Sequence, residues 1–187
     1  HPIYFSAMLV AQGIADCYVA GCVNPTAEIL RAALQIIKPA KGIKTVSSSI
    51  IQISPKTCFG KNGIMLFSDV GVVPDTSAEE LADIAIAAAK KWEHLMDEKA
   101  KVAMLSFSTK GSAKHASVDK VITATNIVKE RHPEIIIDGE LQLDAAIIPE
   151  IAETKAPGSP VAGKANVLIF PNLNTGKSCK IFLIDQI

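Results

Sequence analysis

Residues 101–114, KVAMLSFSTKGSAK, limit the fold more than any other stretch of the chain. The first half is apolar without alternation, as a strand buried on both faces requires, and predicts a strand over 102–107. The second half gathers hydroxyls, two lysines and Gly111 into a loop over 108–114, and a helical pattern follows. α/β proteins hold anionic ligands with this layout. The strand fixes the loop, the glycine lets the backbone approach closely, and the helix offers free N–H groups.

The same alternation runs along the chain. Residues 4–12 have helical spacing and end at Gly13, and 16–20 read as a short strand. Ile29, Leu30, Ala33, Leu34 and Ile37 form one stripe and predict a helix over 28–37, stopped by Lys38-Pro39. Strands are expected at 45–53 and 64–68, with a turn-rich stretch between them. Ser77 and Glu80 fit a capping box that opens a long helix to Met96. A helix over 118–131, a strand over 135–138, a helix over 143–154 and a strand over 166–170 complete the series. Such a series predicts parallel pairing with right-handed crossovers. Ligands of such sheets sit beyond the carboxyl ends of the strands. The loops to search are therefore 21–26, 68–71, 108–112, 139–144 and 171–176.

Composition supports this frame and excludes several functions. The chain is 49% hydrophobic but only 5% aromatic, so its core is aliphatic, as parallel strands under helices prefer. With 19 acidic and 19 basic residues, nothing argues for a nucleic acid or a membrane surface as partner. No apolar run approaches the roughly 20 residues that span a bilayer, and no stretch reads as a signal peptide. The four cysteines form no CxxC pair, which points to free thiols in a reducing cytoplasm.

Several residue groups are candidates for chemistry. Arg31 stands about one turn into a helix, near the loop that carries Asn24 and Thr26. Its guanidinium can fork onto a phosphate or carboxylate, or it can pair with Glu28; Thr26 can cap the helix or donate to a phosphate. Ser108, Thr109, Lys110, Gly111 and Ser112 either cradle a ligand or form a solvated turn. Asp138, Glu140 and Asp144 could bind Mg²⁺, but capping and inter-domain hydrogen bonds suit a strand-to-helix junction better. Residues 158–165 imitate a P-loop, but Ala165 replaces the hydroxyl and a strand follows. Residues 171–178 end in Gly-Lys-Ser with Pro171 in place of the first glycine, a second imitation that leaves nucleotide binding open. The four histidines show no metal or triad spacing, and Trp92 suits packing or a subunit contact.

Taken together, residues 21–38, FGKNGIMLFSD at 59–69, 102–114, DGELQLDAA at 138–146 and 155–174 resemble the phosphate acetyltransferase (phosphate acetyl/butyryl transferase) family. The resemblance implies exchange of an acetyl group between coenzyme A and phosphate, by direct attack of the coenzyme thiolate on acetyl phosphate. It implies no cofactor and no metal, since coenzyme A is a substrate. It further implies a parallel-sheet, three-layer α/β fold related to isocitrate dehydrogenase, a cytoplasmic homodimer, and an active site in the cleft between two domains. Arg31 matches a family arginine that binds the phosphate or acyl phosphate, and becomes the expected catalytic residue. Asn24, Thr26 and the 108–112 loop are the expected substrate contacts.

The pattern departs at the helix start, where Asn24-Pro25-Thr26 replaces a more hydroxyl-rich segment, and again after Asn174. The family's Ser-Arg pair and catalytic Asp are not matched. The expected organisation is a remnant of the first domain over 1–42 and the second domain over 43–187, running into an incomplete return to the first. On this expectation the chain alone lacks the base and does not turn over. The alternative is a non-catalytic dimerising α/β domain that keeps an anion-binding loop.

Overall fold

Continuous aliphatic strands and short turn-rich connections build a sheet here, and unbroken helical stripes cover it. The computed structural model describes residues 1–39 and 43–184. The chain divides into two compact units, His1–Lys44 and Thr45–Ile187.

The first unit is helical. α1 (Pro2–Ala11) begins with a proline at a position whose N–H would have no helical partner. α2 (Thr26–Ala32) continues into one π-helical turn, Ala33–Ile37. Ile3, Ala7 and Ala32 form a small core, with Tyr4, Tyr18, Ile29 and Ile36 around it. The strand expected at 16–20 is irregular chain instead. The described part of this unit contains no sheet for it to pair with, and a lone strand leaves its backbone groups unpaired. Tyr18 is tied by its hydroxyl, which donates to the Ile29 carbonyl at 3.4 Å.

The second unit carries a five-stranded sheet. Its strands are β1 (Ser49–Ile53), β2 (Ile64–Ser68), β3 (Lys101–Leu105), β4 (Ile136–Leu141) and β5 (Val167–Ile169). The spatial order is β1-β2-β5-β3-β4, and every pairing is parallel except β1 with β2. The parallel expectation fails at β1 for a plain reason. The connection over 54–63 is all turn, and only a hairpin can be closed without a crossover element. Leu66, Val102, Met104, Val167 and Ile169 face one layer of helices, while Met65, Phe67, Ala103, Leu105 and Leu168 face the other. The layers follow from strand alternation, with both faces buried.

α3 (Ala78–Met96) and α4 (Ala116–Arg131) cover the first face. The capping box is formed: Ser77 Oγ accepts from Glu80 N at 3.2 Å, and Glu80 Oε2 from Ser77 N at 2.9 Å. Ala82, Ala85, Ala88 and Ala89 are buried in this unit's own core, where their small side chains let the helix pack closely. Trp92 lies in the same core at 0% exposure, which settles it as packing. The helix expected over 143–154 is two, α5 (Leu143–Ile147) and α6 (Pro149–Lys155). Ile148 is extended, as the residue before a proline prefers, and the helix breaks there. α7 (Leu173–Ile184) follows β5 after three residues.

Candidate functional site

The carboxyl ends of β3 and β5 open onto a cavity of about 290 Å³. Ser106 and Phe107 from the loop after β3, Ser117 and Lys120 from α4, Leu143 from α5 and Phe170 after β5 line much of it. This is where a parallel sheet places a ligand. Lys120 closes one side. Its ammonium donates to Asp75 Oδ1 at 2.8 Å and to the Pro171 carbonyl at 3.0 Å, joining the loops after β2 and β5.

The loop after β3 is built around an internal carboxylate. Lys110 and Gly111 both take positive φ, 48° and 83°, which turns the chain back on itself. Glu140, at 3% exposure, sits inside the turn. Its Oε1 accepts from Gly111 N at 2.6 Å and from Ser108 Oγ at 3.1 Å. Ser108 is fully buried, and its Oγ also accepts from Ala113 N at 3.1 Å. Thr109 N donates to Ser112 Oγ at 3.0 Å, and Thr109 Oγ1 accepts from Gln142 N at 2.9 Å. Lys110 reaches Asp138 Oδ1 at 2.6 Å, and Ser159 Oγ donates to Asp138 Oδ2 at 2.5 Å. Burial pushes the Asp138 carboxyl up, but hydrogen bonds from Lys110 and Ser159 and the charge of Lys110 outweigh it and hold it below its ordinary value.

The donors expected to cradle a substrate are therefore brought together, and several already hold the protein's own carboxylates. The acids at the end of β4 serve structure. Asp138 and Glu140 hold the loop within the second unit, and Asp144, inside α5, accepts from Ala145 N at 2.8 Å without capping the helix and pairs with Lys155 at 2.7 Å. Among the described residues no group of three or more His, Cys, Asp or Glu could hold a metal ion.

The P-loop imitation at 171–178 is overturned. α7 starts at Leu173, so Gly176 and Lys177 lie inside a helix and form no cradle. Gly176 serves close packing instead, since a Cβ there would meet the Asp69 carbonyl at 2.6 Å. Asp69 itself escaped the sequence reading. It directly follows β2 at 2% exposure and gathers Ser48 N, Gly71 N, Val72 N and Val73 N within 3.2 Å, with the Ser48 hydroxyl also on Oδ1. Burial raises its pKa, yet the Ser48 hydroxyl and the N–H groups of Gly71, Val73 and Ser48 together hold it below the ordinary value.

Arg31, Asn24 and Thr26 belong to the first unit. Arg31 is exposed near the end of α2, and no carboxylate pairs with it among the described residues. Glu28 instead accepts from Asn24 Nδ2 at 3.3 Å. Thr26 is not the cap. Pro25 occupies that position and no side chain caps the helix, so the Thr26 hydroxyl makes no capping bond.

A family model described as phosphate acetyl/butaryl transferase matches residues 1–181. The chain belongs to that family. It is 56% identical over 174 residues to the phosphate acetyltransferase of Thermoanaerobacterium thermosaccharolyticum, covering 93% of this chain and 53% of that protein. It is 51% identical over 175 residues to the phosphate acetyltransferase of Clostridium acetobutylicum, covering 94% and 53%. A phosphotransacetylase from Streptococcus pyogenes superposes with a TM-score of 0.88 at 42% identity, over 98% of this chain and 54% of that one. The chain thus spans about half the length of these relatives. As a phosphate acetyl/butaryl transferase family member it shares their mixed α/β fold, with helices on both faces of a mostly parallel sheet. Phe107 and Asn172, which line the cavity, lie inside the 102–114 and 155–174 segments without having been singled out, and Lys120 lies outside every such segment. Their shared signal was their place, at or just beyond the strand ends and on the first turns of α4.

Proposed function

We propose that this chain works as part of a phosphate acetyltransferase, exchanging an acetyl group between coenzyme A and phosphate. Its match to the family over residues 1–181 carries the reading. The cavity at the carboxyl ends of β3 and β5 supports it. In the exchange the coenzyme A thiolate attacks the carbonyl carbon of acetyl phosphate. A carbon–sulfur bond forms, the carbon–oxygen bond to phosphorus breaks, and phosphate leaves with the electron pair. Arg31, unpaired by any carboxylate of the described chain, holds the phosphate and stabilises the charge that grows on it. Asn24 and Thr26 contact the same substrate. In the second unit, residues 108–112 are proposed substrate contacts, and Asp138 and Glu140 set their shape. No cofactor enters, because coenzyme A is consumed and regenerated.

We further propose that residues 1–42 belong to a first α/β domain and 43–187 to a second. The assembly is a homodimer, tested by sedimentation at high concentration, where monomer alone would remove it. The compartment is the cytoplasm, consistent with four unpaired cysteines and with no described helix long and apolar enough to cross a membrane.

The test is phosphate-dependent release of coenzyme A from acetyl-CoA. It is run on the 187-residue chain and on a full-length relative carrying the same segment, each beside its Arg31→Ala variant. In the full-length protein kcat falls by about 100-fold or more in the variant. Unchanged kcat would remove Arg31 from the chemistry. Arg31-dependent turnover by the 187-residue chain would overturn the expectation that it lacks essential groups.

A further inference from the structure

β1 ends the sheet on one side, with β2 as its neighbour. Its backbone groups alternate in direction. Ser54 N donates to the Gly63 carbonyl at 2.8 Å, one step beyond the pairing of Ile53 with Ile64, so residues 54 and 63 are a hydrogen-bonded pair. By the alternation of an antiparallel ladder, Gln52 and Ile50 then bond to β2. The N–H and C=O groups of Ser49, Ile51 and Ile53 point instead to the open edge. Among the described residues these outward groups have no backbone partner, and the Ile53 carbonyl meets only Gln52 Nε2, at 3.5 Å.

This edge is unguarded. Natural edge strands carry charges, prolines or bulges that discourage pairing. β1 reads Ser-Ile-Ile-Gln-Ile, and its register with β2 is unbroken. Pro55 and Lys56 come only after the strand has ended. The opposite edge has the usual devices: β4 carries Asp138 and Glu140, and its register with β3 shifts between Met104 and Leu105.

Apolar side chains flank the open edge. Ile51 and Ile53 pair with Leu66 and Ile64, so with Ser49 they stand on the face that α3 covers. α3 runs alongside them. Lys91 Nζ donates to Ser49 Oγ at 3.2 Å, and Lys61, in the turn after β1, donates to the Met96 carbonyl. Leu95 lies between these two anchors, one helical turn after Lys91. Ile51, Ile53 and Leu95 are 36%, 62% and 54% exposed.

We infer that β1 pairs edge to edge with β1 of a second copy of this chain, antiparallel, about a two-fold axis beside Ile51. The symmetry of the edge selects this occupant. The outward positions 49, 51 and 53 fall evenly about Ile51, so Ile51 faces the partner's Ile51 and Ser49 faces the partner's Ile53. Every outward N–H and C=O then finds its complement across the axis, and no charged strand residue meets a like charge. Such an interface uses the same patch on both copies and closes at two. The inference rests on the homodimer reading above and gives it a surface.

The experiment is sedimentation equilibrium of the 187-residue chain beside Ile51→Lys and Ile51→Pro. A proline here removes an N–H that points away from β2, which edge strands tolerate, and melting curves check that both variants fold. The dimer Kd rises about tenfold or more in each. Variants that dimerise as tightly as the parent overturn this edge and leave the homodimer standing. A parent that stays monomeric at high concentration overturns both. An oxidised Ile51→Cys chain reads the register directly. Facing hydrogen-bonded residues have Cα atoms about 5.5 Å apart, within the roughly 4.4–6.8 Å that a disulfide spans. A link between the two introduced cysteines is therefore expected, mapped by peptide mass, while Ile53→Cys lies too far from its counterpart to link. A dimer of Ile51→Cys that forms no such link overturns the inference.

Discussion

At the residue scale, two carboxylates show how backbone N–H groups tame buried charge. Asp69 is almost fully buried, and its four backbone donors and the Ser48 hydroxyl keep it ionised. Its folded pKa lies below the ordinary 3.8, so its contribution to stability is complete above that value and is lost as pH falls through the folded value. Asp69→Asn places an amide N–H₂ against some of those donors and removes the charge. We expect a loss of about 1–3 kcal/mol in urea unfolding at pH 7, shrinking as the parent is taken below pH 3.8. A loss that stays constant on acidification would contradict this account. None of this could be seen in the sequence, where Asp69 is one acid in a loop. The donors come from residues 48 and 71–73, and only the hairpin of β1 and β2 brings them together. Arg31 is proposed on the family pattern alone. That Phe107 and Lys120 share a cavity wall could not be read from the sequence, because a cavity wall is a property of several elements at once.

At the scale of the element, what was legible was whatever has a local cause. β2 falls at 64–68 as expected because a short aliphatic run between turns has few alternatives. α3 starts where Ser77 and Glu80 say it should. Ser77→Ala removes the acceptor for Glu80 N and should cost about 1 kcal/mol, seen as a lower urea midpoint with an unchanged slope. An unaltered midpoint would show that the cap contributes nothing in this setting. What misled was whatever depends on a distant partner. Residues 16–20 have strand-like composition and no strand to pair with. β1 looks like its parallel neighbours in the sequence, and only the brevity of residues 54–63 dictates that it runs the other way. The loop over 108–112 showed in the sequence as hydroxyls, a lysine and a glycine, read as a ligand cradle or a solvated turn. That the β4 acids would occupy them required knowing that β4 lies beside β3.

For the whole molecule, both large apolar clusters draw entirely on residues of the second unit, and the small third cluster entirely on the first. The second unit therefore has what it needs to fold alone. Residues 45–187 expressed without the first 44 should melt in one cooperative transition and keep the α/β circular dichroism of the full chain. A broad, non-cooperative melt would show that the helical unit is required for the sheet to pack. The family assignment came from segments spread over most of the sequence, which is why it was legible when no single motif was decisive.

Glu140 has one more consequence. A ring of donors without an internal carboxylate would have to capture an anion from solution before it took shape, and the rate of binding would then depend on loop closure. Here the ring closes during folding, around an acid that cannot diffuse away. Simple anions such as sulfate therefore have no vacancy to contest in this loop. Ser106 and Phe107, which line the cavity, thus run into a loop that the protein's own carboxylate already holds closed.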